Sequence, residues 1–255
     1  MTQAADAASD NQFMAEGRRI TNPTNFRDLA EHVQQLPVRP GVLYRSDHLG
    51  ALDGDDARQV HALGIRRVLD FRGVNEREDF ACVVPDVTVH SLAIEPTIVQ
   101  TLNQLVAAGV QLTPADIVAH MQDTYRGFVR TSTHRFAEFF AHLLESDQPT
   151  VFHCTAGKDR TGFAAALTLY ALGASDNDVM RDYLLTNDRL GVPSHIRSWL
   201  RPDLLQVLWR VQPEFLQSAF EAIDRDYGGR EAYLREGLGL REAERERLRA
   251  LYLQD

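Results

Sequence analysis

Apolar positions change their period along the chain. Four short runs are dense in β-branched, aromatic or apolar residues. Val42-Leu43-Tyr44 follows a Pro-Gly pair, and Arg67-Val68-Leu69-Asp70-Phe71 follows Gly64. The segment from Val87 to Leu92 alternates after Pro85, and Thr150-Val151-Phe152-His153 follows Pro149. Such runs between turn formers predict strands. Elsewhere the spacing is helical. Thr113 with Pro114 is a good start, and Ile117, Val118, Met121, Tyr125, Phe128 and Val129 follow on one face. Phe136, Phe139, Phe140, Leu143 and Leu144 make a second stripe, which core packing explains. Ser175 with Asp178 starts another helix, and Pro213 opens one that ends at Gly228-Gly229. Strands separated by helices predict an α/β fold with a mainly parallel central sheet flanked by helices. The stretch 191–212 differs. It sets Trp199, Leu204, Leu205, Leu208 and Trp209 among Arg197, Arg201 and Arg210, and Pro202 interrupts it. It reads either as a core helix or as a helical lid over a pocket.

A length of 255 residues suits one large domain, here placed at 18–255. Residues 1–17 are rich in Ala, Asp, Gln and Asn, with neither a basic start nor an apolar core, so they read as a flexible tail rather than a signal peptide. No apolar run is long enough for a membrane span. Net charge of −9 argues against nucleic-acid partners, which require basic surface. The two cysteines, Cys82 and Cys154, make no disulfide framework and no zinc site, so neither a metal nor a cofactor is expected. Cytoplasm is the default compartment; export without a signal and transient contact with a membrane surface stay open, as does the oligomeric state.

One stretch concentrates chemistry. From Val151 the chain reads Val-Phe-His-Cys-Thr-Ala-Gly-Lys-Asp-Arg-Thr-Gly. The apolar run ends at His153, and a helical run of small residues begins near Thr161. The loop between is a strand-to-helix turn, which can aim successive backbone N–H groups at one oxyanion. The helix N-terminus adds positive potential at the same spot. Both favour a thiolate at Cys154 and a phosphate in front of it. Arg160 offers a planar fork for two phosphate oxygens. Gly157 allows close approach, and the Thr161 hydroxyl is placed to assist the sulfur. The Gly and Lys spacing of a nucleotide P-loop is missing.

His153-Cys154-Thr155-Ala156-Gly157-Lys158-Asp159-Arg160-Thr161 resembles the phosphate-binding loop of the protein tyrosine phosphatase superfamily. The Lys-Asp pair before the arginine is similar to that of a bacterial tyrosine and lipid phosphatase group. Asn25-Phe26-Arg27-Asp28-Leu29, Leu43-Tyr44-Arg45-Ser46, Leu69-Asp70-Phe71-Arg72 with Glu76, and Asp182 to Asn187 agree with it. Ala30-Glu31 departs, where that group usually has glycines. The resemblance implies a cysteine-dependent phosphomonoesterase acting on phosphotyrosine, also phosphoserine or phosphothreonine, and phosphoinositides through a phospho-cysteine intermediate. Its substrates would be phosphorylated proteins or phosphoinositides. Cys154 would be nucleophile and Arg160 clamp. Thr155, Ala156, Gly157, Lys158, Thr161 and Arg72 would bind substrate, Lys158 linking the chain to lipid head groups.

The acid that protonates the leaving oxygen stays open between Asp159, inside the loop, and Asp70, at a strand end. Asp123 sits in a helical pattern and reads as surface. Pro85-Asp86 and Pro202-Asp203 read as plain turns. Cys82 reads as a small buried apolar residue. An inositol polyphosphate phosphatase and a phosphate-binding pseudophosphatase are the competing readings. The first needs a wider, more basic pocket; the second needs a broken catalytic set.

Overall fold

The computed structural model describes residues 25–191 and 200–254, together with the backbone of two short strands near the start. These are β1 (Met14–Ala15) and β2 (Arg18–Arg19), paired antiparallel. The rest of the expected tail, 1–13, 16 and 17, lies outside the described residues.

Five strands form the main sheet: β3 (Arg27–Asp28), β4 (Leu43–Ser46), β5 (Arg67–Asp70), β6 (Thr88–Ser91) and β7 (Thr150–His153). Their order is β3-β4-β7-β5-β6, parallel except where β3 meets β4. All four sequence-expected runs appear as β4 to β7. The strand β3 lies too short and too polar for the apolar pattern to mark it. Three central strands alternate across the pleat as period two requires. Leu43, Leu69 and Phe152 enter a large hydrophobic core, whereas Tyr44, Val68 and Val151 enter a smaller one on the opposite face.

The smaller core is closed by α1 (Gly54–Ala62) through Val60. The large one is built by α3 (Ile98–Ala107), α4 (Pro114–Arg130), α5 (Thr133–Glu145), α6 (Arg160–Leu172), α7 (Asp176–Arg189), α8 (Pro202–Trp209), α9 (Pro213–Tyr227) and α11 (Glu242–Tyr252). Two smaller pieces complete the set, α2 (Val74–Asp79) and α10 (Arg230–Ala232), which runs into a π-helical turn at Tyr233–Gly237. The expected caps form. Thr113 and Asp116 cap α4 reciprocally, Ser175 accepts from the Asp178 N–H, and α9 stops at Gly228 with φ of 80°. The helix α6 has no polar face. Every residue from Arg160 to Leu172 except Tyr170 is buried, and Phe163 packs on Phe128 and Phe136 at 5.8 and 4.9 Å between ring centroids.

The stretch 191–212 divides. Residues 192–199, with Arg197 and Trp199, lie outside the described residues. The remainder contains α8, packed against α4 with Leu204, Leu205 and Leu208 buried. Pro202 does not interrupt this helix, and Pro202-Asp203 is not a plain turn: Pro202 begins α8, where its missing N–H and fixed φ cost nothing.

Phe139 is fully buried between Phe71, Phe140 and Phe152. Phe139→Ala should therefore lower unfolding free energy by about 3–5 kcal/mol in a denaturant melt. A loss below about 1 kcal/mol would show that the core is not packed around this ring.

Candidate active site

The strands converge on one point. Because β4, β7 and β5 are parallel and in register, their ends place Ser46, His153 and Asp70 side by side. The chain leaves β7 at His153, turns through Cys154 to Asp159, and enters α6 at Arg160. Ligands in open α/β sheets bind beyond such strand ends. A cleft of about 610 Å³ opens there, with Cys154, Lys158, Asp159 and Arg160 on its wall.

The loop is held by its carbonyls. Asn25 Nδ2 donates to Ala156 O at 3.1 Å and Gly157 O at 3.0 Å, and Arg45 Nη2 donates to Gly157 O at 2.8 Å. His48 N donates to Thr155 O at 3.1 Å. Gly157 has φ of +63°, and a Cβ there would stand 2.3 Å from Ser46 O, so no other residue fits without displacing the β4 end. With the carbonyls turned outward, the amides remain. Among the described residues, no protein acceptor takes the backbone N–H of Thr155, Ala156, Gly157, Lys158, Asp159 or Arg160. That is the arrangement of an oxyanion cradle.

Behind the loop lies a buried ionic cluster. Asp182 accepts from Arg27 Nε at 3.0 Å and from Arg45 Nη1, while Arg27 Nη1 also holds the Asn25 side chain. Burial alone would raise the Asp182 carboxyl. Arg45 and Arg27 outweigh that, and the net direction is down. For Arg27, burial and the Arg45 charge outweigh Asp182 and lower its pKa to about 9, so it stays charged at neutral pH.

Cys154 is buried, 3% exposed. Arg160 forms a two-point ion pair with Glu76, Nη1 to Oε2 at 2.8 Å and Nη2 to Oε1 at 2.9 Å, and Nη1 also donates to Phe71 O. Among the described residues its Nε has no protein acceptor. Glu76 also accepts from the Thr155 hydroxyl and, at 2.8 Å, from Gly73 N. Burial would push the Glu76 carboxyl up, but Arg160 foremost, then Thr155 and Gly73, bring it down to about 2.

Asp159 lines the cleft. Its Oδ1 accepts from the Tyr125 hydroxyl at 3.0 Å, and Lys158 Nζ stands 3.4 Å from Oδ2. Lys158 is not a solvated lysine; it is buried and its ammonium donates to Leu208 O of α8. Asp70 is placed differently. Its carboxylate is gripped by Arg72, with Nη2 at 2.8 Å, and is 1% exposed. Burial would raise it, but the hydrogen bonds and charge of Arg72 keep it low. The Arg72 guanidinium reaches the cleft wall, yet its N–H groups go to Asp70, Glu76 O and Phe80 O. His153 contacts the backbone of its own loop. Its Nδ1 lies 3.0 Å from Cys154 O, where only a protonated Nδ1 can bond, and burial keeps the ring neutral by lowering its pKa. Thr161 Oγ1 is buried without a hydrogen-bond partner among the described residues. His48, on the cleft wall, is also neutral at pH 7, since burial and then Arg72 lower its pKa to about 4.

The bland readings made from sequence hold elsewhere. Asp123 is exposed and paired with Arg126, and Asp86 sits in a turn, whereas Cys82 is half-buried at the edge of the smaller core rather than fully buried. Sequence reasoning missed the roles of Glu76, Tyr125 and Asn25. Glu76 and Arg160 are 84 residues apart, and no spacing rule links them.

Among the described residues no cluster of three or more metal-binding side chains occurs, and no helix is long and apolar enough to cross a membrane.

Two measurements follow from these contacts. Glu76 titrates near 2 in the folded chain and near 4.5 without its partners. Its contribution to stability is thus complete above about 4.5 and lost as pH falls toward 2. The stability gap between wild type and Glu76→Gln should be widest at neutral pH and shrink through that window; a gap independent of pH would refute the ion pair. Asp182→Asn leaves two buried guanidinium groups short of charge and should cost about 3–5 kcal/mol by denaturant melt. A cost near zero would mean that the cluster is dispensable.

The tyrosine phosphatase family profile matches residues 19–254. A protein named as a tyrosine-protein phosphatase from Cupriavidus necator is 32% identical over 230 residues, 85% of this chain and 80% of that one. The triple specificity protein phosphatase PtpB of Mycobacterium tuberculosis is 30% identical over 275 residues, 92% of this chain and 99% of that one. Among solved structures, Pseudomonas aeruginosa TpbA with bound phosphotyrosine gives a TM-score of 0.38 at 14% identity, over 60% of this chain and 78% of that one. The inositol pyrophosphate phosphatase SIW14 of Saccharomyces cerevisiae gives 0.37 at 14% identity, over 77% and 91%. With its profile matched across nearly the whole length, this chain belongs to the tyrosine phosphatase family and is a phosphate-ester hydrolase.

Proposed function

We propose that the chain hydrolyses phosphotyrosine in proteins, and phosphoinositides as a second class, through a phospho-cysteine at Cys154. One observation carries the reading: Cys154, Arg160 and Asp159 share one cleft around a loop whose amides are free of protein acceptors. The Cys154 sulfur attacks phosphorus, and the bond from phosphorus to the ester oxygen breaks as Asp159 gives that oxygen a proton. Water, deprotonated by Asp159, then displaces the thiolate and frees phosphate. The loop amides from Thr155, Ala156 and Gly157 onward and the Arg160 fork balance the charge on phosphorus through both steps. Thr161, whose hydroxyl is buried without a hydrogen-bond partner among the described residues, is the group assigned to steady the departing sulfur.

Asp159 is preferred over Asp70 because it lines the cleft, whereas Asp70 is buried against Arg72. Arg72 serves as cleft wall rather than as a free cation. Away from the loop the wall is apolar, with Phe80, Ile94, Val99, Phe128 and Trp209, which suits an aryl ring or the body of a lipid. The named triple specificity of the mycobacterial relative supports a broad range, including phosphoserine and phosphothreonine. The cations of the cleft, Arg72, Lys158 and Arg160, are matched by Glu76, Asp79 and Asp159, which disfavours a densely charged inositol polyphosphate. The carbonyl of Leu208 meets Lys158, so α8, the described helix of the 191–212 stretch, is proposed as a cover over the site. A reactive thiol works best in a reducing compartment, so cytoplasm is proposed.

Hydrolysis of an aryl phosphate with EDTA present tests the chemistry. Wild type should turn over, Cys154→Ser should be inactive, and Asp159→Asn should lose about 10²–10⁴ in kcat on phosphotyrosine peptides. Full activity of Cys154→Ser would remove the nucleophile, and loss in Asp70→Asn but not Asp159→Asn would move the acid to Asp70.

A further inference from the structure

Tyr125 and Tyr183 are fully buried, and their hydroxyls lie 2.6 Å apart. Tyr125 comes from α4 and Tyr183 from α7, and among the described residues the loop aspartate joins their hydroxyls to the cleft. Tyr125 donates to Asp159 Oδ1 at 3.0 Å. Among the described residues, Tyr183 Oη has no partner other than Tyr125 Oη. Each hydroxyl has one proton. If Tyr125 gave its proton to Tyr183, the Tyr183 proton would have no acceptor and Asp159 Oδ1 would have no donor. With Asp159 ionised, the arrangement that satisfies each acceptor has Tyr183 donating to Tyr125 and Tyr125 donating to Asp159. Burial first, and then the Asp159 charge, hold the Tyr125 hydroxyl well above its ordinary pKa, so it stays protonated.

This chain of donors has a consequence for where Asp159 keeps a proton. Asp159 is the N-cap residue of α6, yet its side chain caps nothing; it turns to Tyr125 instead. The Tyr125 hydroxyl supplies Oδ1 with a donor, so proton exchange is left to Oδ2, whose other neighbour is the Lys158 ammonium at 3.4 Å. We propose that Tyr125, backed by Tyr183, is a positioning residue that reserves Asp159 Oδ2 for proton exchange with the leaving oxygen and then with water. The proposal rests on Asp159 being the acid. Neither tyrosine touches substrate, and neither gives up its proton. The tyrosine pair also adjoins the loop mechanically. A Cβ on Gly162 would meet the Tyr183 ring at 3.1 Å, so the ring is packed directly on the first turn of α6.

A leaving-group series separates this from a packing role. Acidic phenols depart with little help, whereas a phenol as basic as tyrosine, with a pKa of about 10, requires the acid. Turnover of aryl phosphates spanning that range is measured for wild type, Tyr125→Phe, Tyr183→Phe and Asp159→Asn, with thermal midpoints alongside. Tyr125→Phe should slow the most acidic phenol least and the most basic about tenfold more, with Tyr183→Phe showing the same trend more weakly. A loss equal across the series, or none, overturns the proposal. Should Tyr125→Phe fail to fold, Tyr183→Phe provides the same reading. If Asp159→Asn itself shows no dependence on the phenol, the acid assignment has failed; if it does and neither tyrosine variant does, the failure belongs to the tyrosines alone.

Discussion

The site depends on one buried carboxylate. Asp182 binds Arg27 and Arg45 together in a place from which all three side chains are withdrawn from water. Two guanidinium groups so close repel, and burial penalises both; a single well-bonded anion between them is what makes the arrangement tolerable. Arg45 and Asn25, itself held by Arg27, then grip the carbonyls of Gly157 and Ala156. A turn that would otherwise relax toward water is pinned with its carbonyls outward and its amides inward. The anion-binding face at the front is thus a product of ionic packing at the back.

The same logic orders the clamp. A free arginine samples many rotamers, and each must be lost when phosphate binds. Here Glu76 and the Phe71 carbonyl fix the Arg160 plane in advance, so little order remains to be imposed by the ligand. The cleft consequently has little net charge of its own. In the proposed function its affinity for phosphate rests on directed donors rather than on an excess of cations.

Much of this was legible in the sequence, and the reasons differ by residue. The strand β7, the turn and α6 are local, so the spacing from Cys154 to Arg160 announced them. The caps at Thr113 and Ser175 are equally local. The flanking stretches around Asn25, Arg45 and Asp182 were visible as a resemblance, but their physical reason appears only when 22 to 155 residues of separation collapse into hydrogen bonds. Glu76 was visible only within the resemblance and Tyr125 only as an apolar position of a helical stripe; neither carried a local signal for its role. Arg72 and Asp70, two residues apart at a strand end, look like active-site groups from sequence, and in the fold they chiefly neutralise each other. Lys158 reads from sequence as a contact for a lipid head group, and its acceptor in the fold, the Leu208 carbonyl of α8, lies 50 residues away.

The helix α2 has six residues and buries none of them, yet it carries Glu76. Elements with so little packed surface open locally at a small fraction of the free energy needed to unfold the domain. Each such opening frees the Arg160 fork while α6 and the sheet stay intact. The proposed phosphate-binding geometry therefore has its own melting behaviour, softer than that of the fold, and backbone amide exchange in α2 is the clock by which that loosening is read.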